Sequence, residues 1–179
     1  MAKGCIFIVG YMGAGKSTGG KRLAASMRLP FIDTDVVLVE SLGRDISGLF
    51  QDLGEEGFRK AESATLRRLA LEDQQRVIAT GGGTPCYADN MEFMLEQGTV
   101  VYFQLDSAAL IRRLATKRKN RPMLDGIADE AFSAFVEGHL AEREPFYSRA
   151  HITVDADALD ESRLSSVGRM IQDRADFSL

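Results

Sequence analysis

Cysteine is scarce in this chain. Cys5 and Cys86 are the only two, too few and too unpatterned for a disulfide framework, which fits a reducing compartment. No apolar run approaches the roughly 18 residues of a membrane-spanning helix. The start, Met1-Ala2-Lys3-Gly4, leads straight into an apolar stretch with no room for a signal peptide, so a cytoplasmic location is expected. Positive charge is not in excess either: 22 Lys and Arg against 26 Asp and Glu leave a net charge of −4. That balance argues against nucleic-acid or membrane-surface partners. Internal repeats, low-complexity segments and linkers are all lacking. What remains is ordinary for a globular chain, 45% hydrophobic and 27% charged over 179 residues, and a single domain spanning 1–179 follows.

Against this plain background one stretch stands out. Gly10-Tyr11-Met12-Gly13-Ala14-Gly15-Lys16-Ser17-Thr18 is a complete G-x-x-x-x-G-K-[ST] phosphate-binding loop. Cys5-Ile6-Phe7-Ile8-Val9 before it reads as a buried parallel strand. Residues 21–27 after it read as a helix, with Leu23, Ala24 and Met27 on one face. The glycines let backbone N–H groups converge on phosphate oxygens, and the helix N-terminus adds partial positive charge there. Lys16 then belongs on the β- and γ-phosphates, and the Ser17 hydroxyl on Mg²⁺. The motif implies a bound nucleoside triphosphate. Gly19 and Gly20 are unusual inside a helix, each disfavoured by up to about 1 kcal/mol against alanine, and close packing of the helix on the sheet would explain one of them.

Further strands are expected at 31–35, 75–80, 99–105 and 151–154. Helices are expected at 36–41, 46–53, 55–73, 90–97, 108–116, 129–147 and 160–174, with Gly54 separating the second from the third. Strands alternating with helices at crossover lengths predict a doubly wound parallel sheet of about five strands, with helices on both faces and sites at the strands' carboxyl ends.

Three features fall at those ends or beside them. In Asp33-Thr34-Asp35, strand alternation would turn both carboxylates the same way, one toward magnesium and one toward a substrate hydroxyl. A turn with a helix N-cap explains the pair equally well. Arg59 and Glu62 are i, i+3 neighbours, the spacing of a surface ion pair. Arg143 precedes an apolar-aromatic stop, an ordinary setting for a solvated arginine. His139 reads as a helix-surface residue, His151 as a strand-edge residue, and Met91 and Met94 as core. The basic run Lys117, Arg118, Lys119 and Arg121, ended by Pro122, suits either a solvated face or a loop folding over phosphates.

Taken together and in order, these features resemble the shikimate kinase family. The resemblance rests on G-Y-M-G-A-G-K-S-T at 10–18, D-T-D at 33–35, G-F-R-K-A-E at 57–62, G-G-G at 81–83, R-P-M-L at 121–124 and R-E-P-F-Y at 143–147. Each after the first is weak alone; six in register are specific. The family implies a P-loop NTPase-type fold, ATP as co-substrate with Mg²⁺, and transfer of the γ-phosphoryl to the 3-hydroxyl of shikimate, in aromatic amino-acid biosynthesis. It implies catalytic roles for Asp35, Lys16 and Arg121. It also implies nucleotide binding by Gly13, Ala14, Gly15, Lys16, Ser17, Thr18 and Arg121, the last on a lid at about 112–126. Asp35, Arg59, Gly82 and Arg143 would bind the acceptor, while Ser17 and, through water, Asp33 would serve the metal. A monomer is expected. A gluconate kinase would share the nucleotide site and differ in the acceptor pocket. A guanine-nucleotide switch would need an N-K-x-D element, which the chain lacks.

Overall fold

The computed structural model describes residues 4–116, 124 and 126–177. Its centre is a five-stranded sheet in the order β2-β3-β1-β4-β5, parallel throughout. β1 (Cys5–Val9) lies in the middle and is buried along its whole length, the pattern of a strand covered on both faces. Removing side chains such as Ile6, Phe7, Ile8 and Val9 from water stabilises the fold by about 1.5–3 kcal/mol each. β3 (Val77–Ala79) pairs on one side of β1 and β4 (Gly98–Gln104) on the other. The outer positions belong to β2 (Phe31–Asp33) and β5 (Ile152–Asp155). The strand order therefore reverses at β1, and the glycine loop leaves β1 at that switch point.

Around the sheet lie α1 (Lys16–Met27), α2 (Thr34–Leu42), α3 (Ile46–Ala70), α4 (Asn90–Gln97), α5 (Ser107–Ala115), α6 (Asp129–Tyr147) and α7 (Glu161–Phe177). α1 begins at Lys16, five residues earlier than the apolar spacing suggests, because glycine and lysine carry no amphipathic signal. It ends where Arg28 turns left-handed at φ 57, two residues before Pro30. Both unusual glycines are explained by close approach: a Cβ on Gly19 would stand 2.6 Å from the Phe103 ring, and one on Gly20 2.9 Å from the Phe31 ring. α3 contains the expected break, with Gly54 at φ 67, ψ 174 dividing it into two arms. Leu38 of α2 meets Leu49 and Phe58, one from each arm of α3, in a small apolar cluster apart from the main core. No helix among the described residues is long and apolar enough to cross a membrane.

Candidate active site

The glycine loop adopts the backbone its sequence demands. Gly10, Gly13 and Gly15 have φ of 142, 84 and 86, all in the region side chains disfavour. Gly15 caps α1 without any side-chain hydrogen bond, leaving the first-turn N–H groups for a ligand. Lys16 is buried, and its Nζ donates to the Gly10 carbonyl at 2.8 Å and the Tyr11 carbonyl at 3.0 Å. The loop borders a cavity of about 690 Å³ lined by Gly13, Ala14, Gly15, Lys16, Ser17 and Thr18, together with Asp33, Asp35 and Gly82. The carboxyl ends of several strands thus converge on one polar hollow.

The aspartate pair is arranged differently from the alternating strand considered above. β2 stops at Asp33, and Asp35 lies in the first turn of α2. Asp33 is the N-cap: its Oδ1 accepts the Asp35 N–H at 3.0 Å, while its Oδ2 accepts the Ser17 hydroxyl at 2.5 Å. Capping and proximity to Ser17 therefore coexist in one carboxylate. Two hard oxygen donors side by side at a phosphate loop suit a magnesium ion, which prefers few protein ligands and completes its shell with water and phosphate. Asp35 titrates well above the usual carboxylate range, at about 6. Burial is the main cause; Glu62 and Asp33 push in the same direction, and Lys16 and Arg59 oppose them.

Behind Asp35 sits an ion pair that is buried rather than superficial. Arg59 is 9% and Glu62 3% exposed, and Arg59 Nη1 donates to Glu62 Oε2 at 2.5 Å. The i, i+3 spacing alone cannot report this, since the burial comes from the glycine triplet and Thr84 lying over the helix. Thr84 Oγ1 donates to Glu62 Oε1 at 2.9 Å. The Arg59 guanidinium carbon lies 5.6 and 5.5 Å from the ring centroids of Phe50 and Phe58. A Cβ on Gly83 would come within 2.5 Å of Arg59 Nη1, and one on Gly82 within 3.2 Å of Met12 N and 3.7 Å of Arg143 Nη1. The triplet is therefore the floor on which the two arginines and the phosphate loop meet. Tyr147, fully buried, donates to the Gly82 carbonyl at 2.6 Å, and the Arg143 guanidinium lies near the same hydroxyl. Arg121 lies outside the described residues.

Several participants carry no clear signal in the sequence. Thr34, between the two aspartates, accepts the Gly81 N–H at 3.2 Å and so ties α2 to the triplet. Arg113 lines the cavity one turn before the basic run, with Nη1 on the Gly13 carbonyl at 3.5 Å and Nη2 on Asp157 Oδ1 at 3.2 Å. His139 is half-buried against Tyr11 rather than on a free helix surface. Cys86 is half-buried beside both arginines. Burial pushes its thiol up more than Arg143 and Arg59 pull it down, so it stays protonated and unreactive at neutral pH.

A phosphate loop at the switch point of a parallel sheet, facing a raised-pKa carboxylate and two arginines, defines a P-loop phosphotransferase for a small acidic acceptor. The family model for shikimate kinase matches residues 12–172. The chain belongs to the shikimate kinase family. It is 43% identical over 158 residues to the shikimate kinase of Phocaeicola vulgatus, an alignment covering 88% of this chain and 90% of that one. Among solved structures, shikimate kinase from Bacteroides thetaiotaomicron superposes with a TM-score of 0.84 at 39% identity, covering 96% of this chain and 98% of the other. Shikimate kinase from Acinetobacter baumannii in complex with shikimate gives 0.80 at 32% identity, covering 96% and 92%.

Proposed function

We propose that the protein transfers the γ-phosphoryl group of ATP to the 3-hydroxyl of shikimate. The observation that carries this reading is the meeting of Arg59 and Arg143 at the glycine triplet, beside the phosphate loop and Asp35. Two guanidinium groups around one carboxylate form a directional, charge-assisted grip. Arg59 and Arg143, with the Gly82 backbone, orient the acceptor so that a ring hydroxyl faces both Asp35 and the γ-phosphate. Asp35 accepts a hydrogen bond from that hydroxyl and takes its proton as the oxygen attacks phosphorus, while the bond from phosphorus to the β,γ-bridging oxygen breaks and ADP leaves. Its pKa of about 6 leaves it ionised at neutral pH, yet basic enough to share a proton.

Gly13 to Thr18 receive the triphosphate through backbone N–H groups, and Lys16 exchanges its carbonyl partners for the β- and γ-oxygens. Ser17 would ligate magnesium and Asp33 would hold it through water; the ion, bound with ATP, would neutralise charge on the phosphates. The family resemblance assigns Arg121, on a lid of about residues 112–126, to the same phosphates. One kinase domain working as a cytoplasmic monomer completes the reading.

The test pairs Arg59→Ala and Arg143→Ala with an acceptor in which the shikimate carboxylate is replaced by a neutral amide. Losing one partner of a buried charged contact costs about 2–5 kcal/mol, roughly 30- to several-thousand-fold. The loss should fall on kcat/KM for shikimate, with KM for ATP near the parent's. The amide should be a similarly poor acceptor for the parent and lose little more in either variant. Equal proportional losses on both acceptors would remove the arginines from carboxylate recognition.

A further inference from the structure

Tyr11 is the first variable residue of the phosphate loop, and its main chain and side chain face different partners. Its carbonyl accepts the Lys16 ammonium at 3.0 Å. Its side chain, 1% exposed, packs instead against α6. The Tyr11 hydroxyl and His139 Nδ1 are 2.7 Å apart, and the two rings meet edge to face at 5.5 Å and 78°. Behind His139, the Phe135 ring packs at 5.1 Å. One helical turn beyond His139 is Arg143, whose guanidinium carbon lies 6.0 Å from the Tyr11 ring centroid. Residues 135, 139 and 143 recur at i, i+4 and i+8, so α6 presents them along one stripe.

We propose that Tyr11 and His139 are positioning residues for the acceptor: their hydrogen bond clamps α6 to the phosphate loop and fixes Arg143 at a set distance from the phosphate-binding lysine. This rests on the assignment of Arg143 to the acceptor carboxylate. An arginine on its own brings rotamer entropy that binding must remove. Close neighbours reduce that cost before the acceptor arrives: the guanidinium lies against Gly82, near the hydroxyl that Tyr147 donates to the Gly82 carbonyl, and the clamped Tyr11 ring bounds it as well. Direction follows from chemistry. A neutral imidazole nitrogen accepts better than a phenol oxygen, so Tyr11 donates, and the His139 proton resides on Nε2. Burial, with Arg143 and Arg59 nearby, keeps the imidazole neutral and so preserves its acceptor nitrogen. A charged imidazolium would both lose the acceptor and repel Arg143.

The experiment is steady-state kinetics of the whole enzyme carrying Tyr11→Phe, His139→Leu, His139→Asn or Arg143→Ala, on shikimate and on its carboxamide. Tyr11→Phe and His139→Leu should each raise KM for shikimate about three- to tenfold, the range of one net hydrogen bond. KM for ATP and kcat at saturation should change by less than about twofold, and the double variant should be no worse than the poorer single one. His139→Asn, whose amide oxygen can sit near the Nδ1 position, should recover most of the loss. With the carboxamide acceptor the penalties of Tyr11→Phe and His139→Leu should vanish. Nitrogen-15 NMR of the parent should show His139 as the Nε2–H tautomer, and Tyr11→Phe should shift that signal.

Unchanged KM for shikimate in Tyr11→Phe and His139→Leu, with Arg143→Ala strongly impaired, overturns the clamp and leaves the carboxylate reading intact. Unchanged KM in Arg143→Ala overturns the assignment of Arg143 itself. Equal increases in both substrates' KM, or an Nδ1–H tautomer in the parent, reduce the pair to packing.

Discussion

At the scale of the residue, the decisive groups are those whose surroundings contradict their local sequence. Arg59 and Glu62 have the spacing of a solvated pair and are instead buried under the glycine triplet. His139 reads as an exposed helix position because its partner, Tyr11, is 128 residues away, a contact no local pattern encodes. Asp33 and Asp35 were legible as a pair and as a cap; their true geometry depended on where β2 yields to α2, a boundary set by the cap itself. Asp35 then has a measurable signature. Its carboxyl titrates near 3.8 without the fold and about 6 within it, so the folded state binds the proton more tightly. The stability this contributes is complete below pH 3.8 and is lost as pH rises through about 6; at neutral pH the ionised group opposes folding. Asp35→Asn should therefore raise the melting temperature at pH 7.5 by about 2–4 °C, on the order of 1 kcal/mol after allowing for partial exposure. That advantage should shrink to nothing by about pH 4. The same variant should lose roughly 10²-fold in kcat, the lower part of the general-base range because the transition state is loose. It should also lack the fall in kcat/KM expected of the parent below about pH 6. Calorimetry and initial rates across pH check both; parental kcat in the variant would make Asp35 a turn residue only.

Elements were more legible than sites, because periodicity and turn chemistry are local. β1, α4 and α6 fall where the sequence expects them, and Gly54 divides α3 as expected. Strand ends were less legible: β3 covers only Val77–Ala79, although Arg76 and Thr80 on either side of it still hydrogen-bond through their backbones to Ile6 and Ile8 of β1. The helix glycines give a contrast that separates propensity from packing. Gly138 on α6 has open space around a built Cβ and an ordinary helical φ, so Gly138→Ala should stabilise by about 0.5–1 kcal/mol. Gly19 in α1 would gain the same propensity, but its Cβ would meet Phe103 at 2.6 Å and Leu159 at 2.8 Å. Overpacking of that kind costs about 1–3 kcal/mol, so Gly19→Ala should be destabilising overall. Urea unfolding of both variants measures the difference directly. A gain in both would mean that α1 rides farther from the sheet than described.

For the whole molecule, topology turns separate weak motifs into one site. The phosphate loop, the aspartates and the glycine triplet follow β1, β2 and β3, which are neighbours in the sheet though up to 72 residues apart along the chain. Arg143 comes from α6, after the sheet's fourth strand, and reaches the same floor because Tyr147 ties that helix to Gly82. The order of motifs was readable from the sequence, but the convergence was not, since it depends on which strands pair. The central claim is phosphoryl transfer from ATP to one hydroxyl of shikimate. The most direct measurement is ADP release with shikimate, gluconate and a nucleoside monophosphate offered separately, the product being identified by phosphorus-31 NMR. The account expects rapid turnover with shikimate alone, giving a phosphate monoester at the 3-position. Turnover on gluconate or a nucleotide with none on shikimate, or ester formation at another ring hydroxyl, would contradict it.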